Sequence, residues 1–141
     1  MASFNKFNSF VEYLAEGVMN LQSDTLKIVL TDTAPVATNT VRANLTEVSN
    51  GNGYTTGGVA AAVSSSSQSS GTYKLVLADT TITASGGSIG PFRYLVLVDD
   101  TPTSPADPLI GWWDYGSSIT LADGESITID FDATTGVLQV A

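Results

Sequence analysis

The 141-residue chain contains no histidine and no cysteine, and 14 acidic against 5 basic side chains give a formal net charge of -9 at pH 7. These absences remove the usual general base near neutral pH, the commonest metal ligand and every thiol. The charge excludes nucleic-acid backbones and anionic membrane surfaces as partners, since both are held by clustered Lys and Arg.

Residues 4–21, roughly, predict the one helix of the chain. Phe7, Phe10, Val11, Leu14, Val18 and Leu21 recur at three- and four-residue steps and form one apolar stripe. Ser3 or Asn5 is placed to cap its start, and Gly17 weakens it by about 1 kcal/mol relative to alanine. Phe4, Phe7 and Phe10 crowd the beginning of this segment. Two uses of that face stay open, covering the domain's own sheet or docking on a neighbouring protein. The opening MASFNKFNSF has no uninterrupted apolar stretch, so no secretory signal is expected there. No run approaches the 18 or so apolar residues of a membrane-spanning helix.

After Ser23-Asp24 the period changes to 2. Thr25–Thr31 is a predicted strand, ended by Asp32, Thr33 and the Ala34-Pro35 step. Asn50-Gly51-Asn52-Gly53 is turn chemistry suited to positive φ, and Gly57-Gly58 marks a bulge or a close backbone approach. Val59–Val63 predicts a strand. The polar run Ser64–Gly71 resembles a linker by composition, with an edge strand or hairpin arm as the other reading. Thr72–Ala78 and Asp79–Ala84 follow as strands, and Phe92–Val98 is apolar on both faces, which places it in the interior. Asp99–Pro108, with three prolines, predicts an exposed loop. Leu109–Tyr115, Ser118–Leu121, Glu125–Phe131 and Val137–Ala141 are strands separated by Gly116, Asp123-Gly124 and Thr135-Gly136.

The expected fold is therefore mainly β. It is a jelly-roll-like sandwich of about eight strands with one N-terminal amphipathic helix, in a single domain over 1–141 whose sandwich begins near residue 25. Hydrophobic residues make up 43% of the chain, enough for a packed core without disulfide, metal or cofactor. All five basic residues, Lys6, Lys27, Arg42, Lys74 and Arg93, precede position 94, and only carboxylates follow.

The motifs that carry chemistry fail on context. Gly86-Gly87-Ser88-Ile89-Gly90 spells G-x-S-x-G, but a strand follows it and no histidine exists to take the serine proton. Ser3-Phe4-Asn5-Lys6 spells S-x-x-K without its partner motifs, and the Gly51 region lacks phosphate-loop spacing. Asp130 and Asp132, read on a strand, share a face about 7 Å apart, near glycosidase separations. Their Thr128 and Thr134 neighbours make an ordinary solvated face the simpler reading. Neither Asp99-Asp100 nor Asp123 with Glu125 has calcium-loop spacing. No catalytic, cofactor or metal residue is assigned. In Trp112-Trp113-Asp114-Tyr115 the alternation sends the tryptophans to opposite faces, one to the core and one towards the surface. An exposed one suits a sugar ring or a protein pocket.

Several segments resemble a family of small structural proteins of tailed bacteriophages. They are Phe4–Phe7, Ser23–Lys27, Thr33–Val36, Gly51–Tyr54 with Gly57-Gly58, Gly90–Tyr94 and Gly111–Ser118. The likeness spans nearly the whole chain and is nearest to the cement, or decoration, proteins of phage heads. It implies a jelly roll, dimeric, on the outer surface of the capsid, made in the host cytoplasm and bridging major capsid protein subunits. None of the matching segments is catalytic. The candidate contact residues are Phe4, Phe7, Phe10 and Trp113, with an edge strand. The other reading is a carbohydrate- or receptor-binding sandwich of a phage fibre or tail, using Trp112 or Trp113.

Overall fold

Ten β-strands, one short α-helix and a single 3-10 turn make up residues 2–141, the part of the chain that the computed structural model describes. In chain order they are β1 (Asn5–Lys6), α1 (Asn8–Ala15), β2 (Leu26–Thr31), the 3-10 turn (Arg42–Asn44), β3 (Val59–Ala61), β4 (Val63–Ser69) and β5 (Thr72–Leu77). Then come β6 (Thr80–Thr83), β7 (Ile89–Asp99), β8 (Leu109–Leu121), β9 (Ser126–Ile129) and β10 (Leu138–Val140). They form three antiparallel sheets, ordered β1-β8-β7-β2-β3, β10-β5-β4 and β6-β9. The protein is mainly β, as its alternating pattern requires. No helix among the described residues is long and apolar enough to cross a membrane.

The five-stranded sheet is apolar on both faces. Leu26, Ile28 and Leu30 of β2 and Leu95 and Leu97 of β7 enter the main core, with Leu75, Leu77, Ile82 and Leu138 from the other two sheets. Val29, Val96, Val98 and Leu109 face the other way, where they pack with Phe7, Leu45 and Trp112. The continuous apolar runs of β2 and β7 are explained by this two-sided burial. Pairs β5·β10, β6·β9 and β7·β8 are nested one inside the next. The hydrogen bonds divide the strands into sheets of five, three and two rather than two sheets of four.

The N-terminal helix is shorter than its apolar stripe predicts. It starts after Phe7 and stops at Ala15. Gly17 adopts φ +76°, and the Val18 and Gly17 amides donate to the carbonyls of Tyr13 and Leu14, a Schellman stop. Residues before the helix are taken by the sheet instead: Asn5 and Lys6 pair with Trp112 and Gly111, and the Phe7 amide donates to Ile110. Neither Ser3 nor Asn5 caps the helix; Phe7 occupies that position without a side-chain bond.

Smaller differences follow the same logic. The serine-rich run is not a linker but β4, an edge strand joined to β5 through Ser70 (φ 50°) and Gly71 (φ 82°), a two-residue turn with positive φ at both positions. Leu109–Tyr115 and Ser118–Leu121 join into one strand across Gly116, and β9 ends at Ile129 instead of Phe131.

Candidate functional site

Gly111 is where the site begins. A Cβ atom at this position would collide with the ring of Phe4 and lie 2.7 Å from the Asn5 carbonyl oxygen. The missing side chain lets β1 approach and lays Phe4 across β8. There Phe4 meets Trp113, ring centroids 5.2 Å apart and planes at 57°. Phe131 packs against the same indole at 5.8 Å, also at 57°. These tilted geometries are those that aromatic quadrupoles favour. Trp112 points to the opposite face and packs on Phe7 at 4.6 Å, so the alternation expected for the pair holds.

Phe4, Trp113, Phe131 and Tyr115 line a cavity of about 370 Å³ together with Leu95 and Ile129. That volume lies at the low end for ligand pockets. Tyr115, 53% exposed, follows Trp113 by two positions and therefore shares its face.

Asp130 and Asp132 also line the cavity. They sit beyond the end of β9, in the turn towards β10, so the shared strand face expected for them is absent. Asp132 accepts bonds from the Thr134 and Thr135 amides and the Thr135 hydroxyl. The Thr135 and Thr134 bonds hold its carboxyl below the ordinary aspartate range, helped by the nearby Lys74. Lys74 itself donates to the Thr134 carbonyl oxygen at 2.9 Å. Asp130 is exposed and, among the described residues, in no ion pair. Asp132 is thus a turn-forming anion, and Asp130 is an open one.

Two of the four predicted contact residues come together here, Phe4 and Trp113. Phe7 and Phe10 do not, and they are corrected to core residues at 0% and 3% exposure. The helix begins after Phe7, so the two do not share one helical face: Phe7 serves the outer cluster and Phe10 the main core. Tyr115 was accessible to sequence reasoning through its spacing from Trp113. Phe131 was not, because a turn after β9 brings it there.

The remaining polar clusters are structural. Glu47 accepts the Tyr54 hydroxyl and the Gly57 amide, each at 2.6 Å, and the Tyr54 hydroxyl accepts the Leu30 amide at 3.2 Å. Arg42 bridges Glu47 at 3.4 Å and Asp107 at 3.0 Å. Burial, then the Glu47 bond, drives the Tyr54 pKa far above the ordinary tyrosine value. This network ties the long 32–58 loop to β2. Gly86-Gly87-Ser88 is a turn stapled by Asn52 to the Ser88 carbonyl and by the Gly86 amide to Asp123, and β7 follows it. Among the described residues, no three His, Cys, Asp or Glu side chains converge as a metal site.

Comparison of the chain with protein-family models, with curated proteins and with solved structures finds no match.

Proposed function

We propose that this protein is a non-enzymatic structural component of a tailed-bacteriophage head. In this reading it is a decoration or cement protein on the outer surface of the capsid, dimeric, bridging major capsid protein subunits. The observation that carries the reading is the meeting of Phe4 and Trp113 in one partly open aromatic groove. Both lie in segments that resemble the phage family, and both were expected to touch a partner. A stiff sheet body with contact surfaces and no proton-transfer machinery suits the task. Many weak contacts repeated over a lattice resist internal pressure through avidity. An outer position also keeps 14 carboxylates beyond a Debye length of about 8 Å from packaged DNA.

The test mixes purified protein with expanded heads lacking it. Bound protein should appear on the outer surface by electron microscopy, and the heads should survive heating better. Heads that neither bind nor gain stability would remove the reading.

One observation favours carbohydrate as a second reading: Trp113 and Tyr115 share a face beside Asp130, a stacking surface next to a hydrogen-bond acceptor. Glycan-array binding that disappears in Trp113→Ala would support it.

A further inference from the structure

The chemistry of the groove names its occupant more closely than the word contact does. We propose that it receives a lysine or arginine side chain from the partner, the aliphatic stem lying along Phe4, Trp113 and Phe131 and the cation reaching Asp130 and Asp132. This rests on the groove being a contact surface, and not on the particle to which the partner belongs.

The cavity is lined by two carboxylates and no basic side chain, and no basic residue follows Arg93 anywhere in the chain. Lys74, whose charge acts on Asp132, is engaged with the Thr134 carbonyl. Asp130 stands exposed and without an ion-pair partner among the described residues. A purely apolar occupant would remain beside both anions and cover part of their hydration. A cation on a long apolar stem satisfies walls and rim together.

The same chain already uses this combination. Arg93 forks onto Asp114 at 2.8 and 3.0 Å while its guanidinium lies 5.5 Å from the Tyr94 ring centroid. There the aromatic, the carboxylate and the cation are all supplied in one molecule. The groove supplies aromatics and carboxylates with no basic side chain in its lining.

Other occupants fit less well. A second copy would bring another net charge of -9 against an acidic rim. Strand addition along the outer edge of β8 meets a bulge. The register advances from Asp114 to Ile119 on β8 while β7 moves only from Tyr94 to Phe92, and Gly116 turns at φ +104°. Bulged edges are poor templates for pairing.

The experiment follows the indole N–H resonances by NMR, assigned with a Trp112→Phe variant. The probes are capped pentapeptides that differ only in a central arginine, lysine, citrulline or leucine. Arginine and lysine peptides should shift the Trp113 resonance, and citrulline should weaken binding several-fold, as expected for an exposed ion pair. Asp130→Asn should weaken the arginine peptide several-fold and leave the leucine peptide unchanged; Tyr115→Ala should weaken both cationic peptides. Both residues are exposed, so neither change threatens the fold. Equal binding of leucine and arginine peptides, a shift with methyl glucoside but not with the peptides, concentration-dependent self-association that moves the same resonance, or no shift at millimolar peptide would each overturn the inference. Failure on expanded heads with the arginine dependence intact would remove the phage reading and leave this one standing.

Discussion

At Asp99 a carboxyl group is fully buried at the end of β7, where its Oδ1 accepts the Thr101 amide at 3.2 Å. Burial first, then the neighbouring Asp24 carboxyl, pushes its pKa up to about 8. Asp100 stands beside it as well, paired with Lys27 at 2.9 Å. A folded-state pKa above the unfolded value means that the native state holds the proton more tightly. The stabilising effect of the neutral form is therefore complete below the ordinary aspartate range and is lost as pH rises towards 8. Asp99→Asn should match the wild type in melting temperature at pH 4 and exceed it increasingly up to pH 8. Parallel curves for the two proteins would contradict the burial argument. Gly111→Ala should push Phe4 and β1 off the sheet, at a cost of about 1–3 kcal/mol by overpacking. Denaturant titration reads the cost, and faster exchange of the Phe7 amide, which donates to Ile110, reads the detachment.

Among the elements, α1 shows how a local signal is overruled. The sequence spaces Phe7, Phe10, Val11 and Leu14 as one stripe, yet Val11 ends 49% exposed and Phe7 lies outside the helix. An eight-residue helix is below the length that is stable alone, so tertiary partners decide where it begins and ends. The β8 edge claims Asn5 and Lys6, and Gly17 closes the other end. Nothing lies within 4 Å of a Cβ built on Gly17, so Gly17→Ala tests conformation alone. It should cost about 1–2 kcal/mol through the positive φ, measured by denaturant unfolding, with Phe4 and Trp113 still in contact. The strands were easier to read. An apolar run between turn signals located β7, and period-2 alternation located β5 and β8 because side chains on a strand must alternate between faces. It could not reveal that β8 shifts register near Leu109, which puts Leu109 and Trp112 on one face.

For the whole molecule, charge and core act in opposite directions. Four ion pairs are present among the described residues, and all five basic residues are outnumbered by 14 acidic ones. Self-repulsion therefore exceeds pairing, and salt should screen it. Raising sodium chloride from about 10 mM to about 300 mM, a change of Debye length from about 30 Å to below 8 Å, should raise the melting temperature at pH 7.5. A fall would mean that the ion pairs outweigh the repulsion. The core should tolerate little: Phe92, fully buried on the central strand, should cost about 3–5 kcal/mol as Phe92→Ala, seen as a lower denaturation midpoint.

What this sequence determined by itself is the strand content, the turns at Asn50–Gly53 and Asp123-Gly124, the opposed tryptophans and the acidity. Each of these follows from neighbours within a few positions, whose sterics and alternation are local. Only the tertiary structure decided that Phe7 and Phe10 belong to separate cores, that three sheets form, and that Phe4, Trp113 and Phe131 share a groove. Those outcomes depend on which distant strand edge captures a segment and on the turn that follows it, and no local period encodes either.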